Sequence, residues 1–367
     1  MKIFIAFLYL IIFLQTAHAQ SCNEASLILK PGIWKESSGG GNGILAADMT
    51  KEKKVVAALH SMIKSAYSPK GVLAHFNASY NRLEPEMKLN SYYYSIIPLN
   101  YYCDGNSVKT AAETSTHFQI SVNNFEVDIF DTAIGDRSLA EGFNVMHGLP
   151  VKKEGYWGFK EKDVTLGFGL TGKSSMSLIT FPGILPFAYV TKKEFLRKRK
   201  QSELIEMKMM TASIKEDLKK IEDAKSYDDK ENHNDPEKQK KYLKAYQTSK
   251  DRLEHLLSEQ NKSYVLQLDK IDGQLNMSSE ELNQPAIVKP DPKSTLSSYI
   301  FTNAEDPFGE VLIKPNPGYF NKKSARATPQ FFWITITWNP KDPIASLFKE
   351  DIMKAIDYTA LNTMLGK

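Results

Sequence analysis

The sequence predicts an α+β fold: a mostly antiparallel, β-rich body, interrupted by a long antiparallel helical hairpin and flanked by amphipathic helices near both ends. Residues 20–190 form an N-terminal α+β region, in which short apolar segments separated by glycine and proline indicate strands. Residues 191–272 contain a single proline and dense charge, as long paired helices do. Strand-like segments and a last helix follow over 273–367, where we expect them to complete the β-rich body.

A leader occupies residues 1–19. It has one lysine, an apolar run from Ile3 to Leu14 and the tripeptide Ala17-His18-Ala19, which is the pattern of a secretory signal peptide. No later apolar run reaches the roughly 18 residues of a membrane helix. We therefore expect an exported protein of the periplasm, the cell surface or the extracellular space, with no transmembrane segment in the mature chain.

The first amphipathic helix is predicted in the stretch "ILAADMTKEKKVVAALHSMIKSAY", which Pro69 and Gly71 follow as stop signals. Its apolar side chains recur at helical spacing; they are Met49, Val56, Leu59, Ile63 and Ala66.

Strands are predicted next. Tyr92–Tyr102 is rich in tyrosine and isoleucine, with an interruption expected at Pro98. In "HFQISV" the residues Phe118, Ile120 and Val122 alternate with polar ones, so they predict one buried face. Four short segments between Gly155 and Val190 then resemble an antiparallel meander.

The helical hairpin has a clear start. Thr191 and Glu194 have the spacing of a capping box, and Val190 and Phe195 that of a hydrophobic staple. A polar breaker around Pro236 separates two apolar stripes, which predict two helices of about 35 residues packed as a coiled coil. The basic run Arg197–Lys200 is expected to form a solvated helix face, with binding to a polyanion as the alternative.

The C-terminal region predicts further strands and a helix. In "FFWITITWN" the alternating residues Phe332, Ile334, Ile336 and Trp338 predict one shared face. A terminal amphipathic helix is predicted from its apolar positions, which are Leu347, Ile352, Ala355 and Ile356.

The stretch "GFGLTGKSS" matches two nucleotide-binding patterns through Gly167, Gly172 and Lys173. A P-loop requires a helix after the lysine, because the helix N-terminus holds the phosphates. Here "SMSLITF" follows and alternates like a strand. We therefore interpret the match as accidental and predict a hairpin that pairs Val164–Leu166 with Met176–Phe181.

Few residues suggest catalysis. Glu113 and His117 are four apart, with Asp104 upstream; on a helix the first two would share a face and could ligate a metal. The serine and threonine around them make that helix doubtful. No metal-binding spacing is present, and we predict no metal and no cofactor.

Aromatic residues are the weak candidates for binding. Tyr92, Tyr94, Tyr101, Tyr156 and Trp157 could stack on a sugar or a protein partner. The alternative is that they pack inside a sheet.

Cys22 and Cys103 are the chain's two cysteines and could form one disulfide in an oxidising compartment. A free or lipidated Cys22 is the alternative. The net charge of +4 is small for a chain of this length and predicts no nucleic-acid partner.

Four stretches carry a resemblance: "IIPLNYYCDGNSVKTAAETSTHFQIS", "SLAEGFNVM", "LPFAYVTKKEFLRKRK" and "IKPNPGYFNKKSARATPQFFWI". In these stretches the chain resembles a group of secreted proteins of Bacteroidetes-type bacteria that has no established function. The resemblance covers most of the mature chain. It implies a signal peptide, a β-rich body with a charged helical segment, and a Gram-negative envelope or exported location. It implies no activity and no catalytic residues.

Two functions follow as hypotheses. The first is a non-enzymatic binding protein with a protein or glycan partner, in which the hairpin is a spacer or interaction arm and the aromatic-bearing sheet a binding face. The second is a secreted hydrolase of envelope or polysaccharide material, with Asp104, Glu113 and His117 as its first candidates.

Overall fold

The computed structural model is a mixed α/β protein with two sheets and a pair of long helices in the residues that it describes, so the predicted class is confirmed at this level. The predicted signal peptide lies outside these residues. The described residues are 22–37, 40, 46–84, 87–125, 128–129, 143–146, 148–166, 169–231, 235–292, 299–321 and 323–367.

The helices and strands follow one another along the chain in this order: α1 (Glu24–Leu27), β1 (Ile33–Lys35), α2 (Ala46–Ala66), β2 (Val72–Glu84), β3 (Leu89–Asp104), β4 (Ser107–Thr110), β5 (His117–Val122), β6 (Asp128–Ile129), β7 (Asn144–Met146), β8 (Val151–Lys153), β9 (Tyr156–Gly158), β10 (Lys162–Thr165), β11 (Thr171–Ile179), β12 (Phe187–Tyr189), α3 (Lys192–Glu231), α4 (Pro236–Leu275), α5 (Ser279–Leu282), β13 (Ile287–Pro290), β14 (Tyr299–Phe301), β15 (Glu310–Pro315), β16 (Phe332–Trp338), α6 (Pro343–Lys354) and α7 (Tyr358–Met364).

The first of two compact units contains the described residues within 1–126, 148–187 and 315–367. It is built on a ten-stranded sheet in the order β1-β2-β3-β5-β16-β11-β9-β8, with β4 added to β3 and β10 to β11. Every pair is antiparallel except β1 with β2. The order shows that β16, from the end of the chain, lies between β5 and β11.

One face of this sheet forms the larger hydrophobic core. The residues Phe332, Ile334, Ile336 and Trp338 of β16 share that face, as predicted, and so do Phe118, Ile120 and Val122 of β5. Helix α2 contributes Val56, Leu59 and Ile63, and α6 contributes Phe348 and Ile352. Burying one such side chain stabilises the fold by about 2 kcal/mol.

Strand β3 continues through Pro98, where the sequence predicts an interruption. The register explains how proline is tolerated. Strand β3 pairs with β5 over Tyr92–Ile96 and with β4 over Tyr101–Asp104. Pro98 lies between these stretches, so its missing N–H interrupts neither ladder.

Asn123 fixes the connection between β5 and the segment that leads into β16. It is fully buried and has a left-handed backbone, with φ of +56°, which asparagine adopts more readily than most residues. Its side-chain amide donates to the backbone oxygens of Asn90 and Thr328, and its side-chain oxygen accepts from the Gln330 N–H at 2.8 Å. One side chain thereby satisfies three buried backbone groups.

The stretch "GFGLTGKSS" lies in an antiparallel hairpin of β10 and β11, although Gly167 and Phe168 are outside the described residues. The predicted register is wrong, because β11 begins at Thr171 and Val164 pairs with Gly172 rather than with residues 176–181. Lys173 belongs to the strand and its amine lies 2.7 Å from the Asp163 carboxylate. A Cβ on Gly172 would come within 2.4 Å of the Leu166 side chain. A side chain at this position would therefore require Leu166 to move.

The second unit contains the described residues within 127–147 and 188–314. Its sheet has the order β14-β13-β15-β7-β6, with β12 on β15. Strands from before and after the helix pair meet in it. Its core joins Phe195 and Leu196 of α3 and Ile271 of α4 to Val288 and Leu312 of the sheet.

Helices α3 and α4 are 40 residues each, slightly longer than predicted. They run antiparallel, because Lys200 pairs with Asp272 near one end while Glu222 pairs with Lys250 further along. Pro236 is the first residue of α4 and Asp235 caps it, as the breaker predicts.

Helix α3 begins at Lys192, and Thr191 caps it by accepting from the Glu194 N–H at 3.1 Å. The reciprocal half of the predicted capping box is missing, because the Glu194 carboxylate pairs with Lys314. The predicted solvated face at Arg197–Lys200 is also wrong in part. Arg199 is buried and its guanidinium donates to the backbone oxygen of Tyr299, and Lys200 pairs with Asp272.

Cys22 and Cys103 form a disulfide across 81 residues of chain. A crosslink that closes a loop of this length restricts the unfolded chain and stabilises the fold by about 4 kcal/mol. We expect Cys22→Ser/Cys103→Ser to lower the free energy of unfolding by a similar amount in urea denaturation. Wild-type protein held reduced is the control and should match the variant. Equal stability of the variant and the oxidised wild type would contradict this prediction.

Candidate functional site

Uncharged polar side chains form a row across the ten-stranded sheet, on the face opposite the larger core. Directly opposite residues of antiparallel strands project from the same face. The register therefore aligns Asn77 of β2, Ser95 of β3, Gln119 of β5 and Thr335 of β16 on four neighbouring strands. We call these four residues the polar row.

Two further rows lie beside the polar row. One contains Ser79, Tyr93, Ser121 and Trp333. The other contains His75 opposite Ile97 on β2 and β3, and His117, Thr337 and Ser174 on β5, β16 and β11. We call these nine residues and the polar row together the polar face. None of these residues is Asp, Glu, Lys or Arg, but two lysines border them, because Lys35 of β1 is opposite His75 and Lys162 of β10 is opposite Ser174. Alternation along β2, β3 and β5 thus separates an apolar face from a mostly polar one. On β11 the second face is largely apolar, because the buried Met176 and Leu178 lie opposite Thr335 and Trp333.

The polar row is half-buried to buried. Ser95 is buried, whereas Asn77, Gln119 and Thr335 keep partial exposure. The Gln119 amide donates to Ser121 Oγ at 2.7 Å, and Asn77 Oδ1 accepts from the Ala78 N–H at 2.9 Å. Ser37 Oγ also donates to Asn77 Oδ1 at 3.4 Å, and Ser95 Oγ donates to the backbone oxygen of Asn77 at 3.4 Å. These contacts orient the row and leave the side-chain nitrogen of Asn77 without a partner in the described structure.

Two polar atoms of β16 lack partners among the described residues. Thr335 Oγ1 and Trp333 Nε1 are both buried and neither makes a hydrogen bond. The Trp333 ring is covered by Phe159, with ring centroids 5.3 Å apart, and by Phe125 at 6.3 Å. An unsatisfied buried polar atom costs about 1–3 kcal/mol, so both atoms need an explanation.

A second group of unpartnered atoms lies in the larger core. His60 Nδ1, Tyr67 Oη and Tyr94 Oη are buried without hydrogen-bond partners in the described structure. The Trp34 ring contacts those of His60 and Tyr67 edge-on, at 5.4 and 5.8 Å. Burial raises the pKa of both phenols. These side chains are enclosed by α2 and the sheet and therefore form part of the core.

The predicted catalytic residues do not form a group. Glu113 lies in the exposed loop after β4, Asp104 is exposed at the end of β3, and His117 begins β5 on the polar face. The helix that would align Glu113 with His117 is absent from residues 111–116, which are all described. No hydrogen bond or ion pair joins the three, and the described residues contain no cluster of three potential metal ligands.

The predicted aromatic candidates divide between core and surface. Tyr92, Tyr94 and Tyr101 are buried, so they pack inside the protein and are not a stacking surface. The Tyr92 hydroxyl donates to the backbone oxygen of Ala327 at 2.8 Å. Tyr156 stacks on Tyr358 at 4.0 Å, and Trp157 is half-buried beside Leu178.

The helix pair presents a different surface. Several large apolar side chains point away from the seam between α3 and α4; among them Met209 is 68% exposed, Val265 53% and Leu266 59%. Ile205 and Met209 are four residues apart and share one side of α3. Val265 and Leu266 line a shallow groove along α4 with Asn261 and Lys262. We call these apolar residues, Ile205, Met209, Val265 and Leu266, the helix-pair surface.

Comparison with known proteins gave no match: neither a protein-family model, nor a curated protein, nor a solved structure is similar to the chain. Within the described residues, no helix has the length and apolar character that crossing a membrane requires. In the described structure, the polar face and the helix-pair surface are features that suggest binding.

The sequence alone did not identify the polar face. The alternation in "HFQISV" and "FFWITITW" indicates which residues share a face, and both segments have a polar set as well as an apolar one. The alternation of polar and apolar residues along a strand does not show which strand pairs with it. The alignment of Gln119 with Thr335 depends on that pairing.

Burial lowers the pKa of His117 below its ordinary value of 6.5, which predicts a pH dependence of stability. The unfolded chain binds a proton at this residue at higher pH than the folded chain does. The free energy of unfolding should therefore fall as the pH drops below about 6.5, until the folded imidazole is also protonated. His117→Gln should reduce this loss, as measured by urea unfolding between pH 8 and pH 5.

The exposed His255 on α4 provides the control. His255→Gln should retain the acid sensitivity of the wild type. An NMR titration that placed the His117 pKa at or above 6.5 would contradict the prediction.

Proposed function

We propose that the chain is an exported, non-enzymatic binding protein of the cell envelope or the extracellular space, and that its helix pair binds a protein partner. The observation that carries this proposal is the helix-pair surface. Methionine, valine and leucine side chains lie largely in water there, outside the seam that holds α3 and α4 together. Contact with a partner would remove this apolar area from water and supply binding energy.

The length of the helices and the ion pairs between them suit the helix pair to binding a protein. A 40-residue helix extends about 60 Å at 1.5 Å per residue, so the pair offers a long contact surface. Ion pairs such as Lys250 with Glu222 hold the helices to each other. The apolar groups on the outer sides are therefore free to contact another protein without opening the pair.

Two features support export. The leader at residues 1–19 has the pattern of a signal peptide. The Cys22–Cys103 disulfide is of a kind that persists in oxidising compartments and is rare in the cytosol. The resemblance to secreted proteins of Bacteroidetes-type bacteria agrees with a Gram-negative envelope as the location.

The proposal predicts that charge on the helix-pair surface abolishes protein binding. The test is a quantitative pull-down from an envelope fraction of the source organism, with wild type, Met209→Lys/Val265→Lys and Val151→Lys as baits. Val151 lies on β8 and is 63% exposed, so it matches Val265 in residue type and exposure. Proteins enriched by the wild type should fall about tenfold or more with the double variant and stay unchanged with Val151→Lys, because buried anchor residues dominate interfaces.

Circular dichroism should show the same helix content in all three proteins. A partner set that is the same for wild type and the double variant, and also for a chain lacking residues 191–272, would refute the role of the helix pair.

A further inference from the structure

We propose that the polar face of the ten-stranded sheet binds a neutral saccharide, with the polar row Asn77, Ser95, Gln119 and Thr335 as its hydrogen-bonding groups. This site is on different residues from the helix-pair surface and does not depend on it. Four observations support the proposal: the spacing of the row, its composition, its lack of charge and the unpartnered hydroxyl of Thr335.

The spacing suits an elongated ligand. Asn77, Ser95, Gln119 and Thr335 are directly opposite one another on consecutive strands. Strands in a sheet are about 4.8 Å apart, so the row extends about 14 Å across the strands. A short oligosaccharide laid along the row would meet one polar side chain at each strand.

The composition suits hydroxyl groups. Amide side chains offer both donors and acceptors, and so do the hydroxyls of serine and threonine. A sugar hydroxyl also donates and accepts, so it can pair with any member of the row. Tyr93, half-buried on the adjacent row opposite Ser121, adds an aromatic edge against which a sugar ring can rest.

The lack of charge selects among ligands. None of the residues of the polar row is acidic or basic. Basic side chains lie on a neighbouring row, which contains His75 and His117 and ends at Lys35 and Lys162. A charged ligand placed on the polar row would lose hydration without gaining a countercharge, which is costly. A neutral saccharide avoids this cost. A phosphorylated, sulfated or carboxylated ligand is therefore disfavoured.

Thr335 provides the most specific observation. Its hydroxyl is buried, has no partner in the described structure, and stands in the middle of the sheet opposite Gln119. Nearly all buried polar atoms in native proteins are hydrogen-bonded. Gln119 is half-buried and its amide is held by Ser121 at 2.7 Å. A ligand hydroxyl that pairs with both Gln119 and Thr335 would satisfy the threonine oxygen.

The experiment is isothermal titration calorimetry of the full mature chain with maltohexaose, cellohexaose and chitohexaose, and with an acidic hexagalacturonate for comparison. The variant Thr335→Val keeps the shape of the side chain and removes its hydroxyl. Thr171→Val is the matched control, because Thr171 is an exposed threonine of the same sheet, on β11. We expect binding of at least one neutral probe, a loss of about fivefold or more with Thr335→Val, and wild-type affinity with Thr171→Val.

Thermal unfolding separates a ligand role from a structural one. Because Thr335→Val removes an unsatisfied buried hydroxyl, its melting temperature should be unchanged or about 1–3 °C higher than that of the wild type. A more stable protein that binds more weakly is the expected combination. Val265→Lys changes the helix-pair surface alone and should bind the saccharide with wild-type affinity. Saccharide binding can therefore be confirmed or refuted whether or not the helix pair binds a protein.

Four outcomes would overturn the inference. Three concern affinity: no binding of any neutral probe by the wild type, binding of hexagalacturonate as tight as that of the neutral probes, or a loss of affinity in Thr335→Val no larger than that in Thr171→Val. A lower melting temperature of Thr335→Val would assign the hydroxyl to folding and would also overturn it.

Discussion

The pairing of β16 with two neighbours is the interaction on which the larger sheet depends. This seven-residue strand lies between β5 and β11 and hydrogen-bonds to both. Without it, the strands of residues 72–122 and those of residues 151–179 would each end in an unpaired edge. The strand also sets both faces of the sheet, because Ile334 and Ile336 enter the larger core while Thr335 between them belongs to the polar face. Fold and candidate site therefore share one strand register.

Local patterns predicted the elements well. The alternation in β16, the cap at Thr191 and the breaker at Pro236 each depend on a few adjacent residues, and the structure agrees with each. The register of the β10–β11 hairpin was wrong because the strand includes Gly172 and Lys173, which a pattern of glycines assigns to a turn. The left-handed Asn123, which anchors the approach to β16, depends on backbone groups far away in the sequence.

The candidate site could not be predicted for the same reason. Asp104, Glu113 and His117 were selected by helical spacing, and that choice failed because the segment before His117 is not helical. Tyrosines were selected by abundance, but alternation along β3 sends Tyr92 and Tyr94 into the protein while Tyr93 takes the polar face. Only cross-strand pairing aligns Gln119 with Thr335, and the period of a strand contains no information about its partner.

The buried hydroxyl of Thr335 distinguishes the polar face from the ordinary solvent-exposed face of a sheet. An outer face open to water satisfies its hydroxyls with solvent and commonly has charged residues. Here the hydroxyl is buried without a partner among the described residues, and Gln119 and Met176 lie opposite it on the two neighbouring strands. The β-branched shape alone would suit the strand, and valine would provide that shape without an unsatisfied polar atom. The fold therefore gains nothing from the oxygen, whereas a ligand that donates to it would remove the cost.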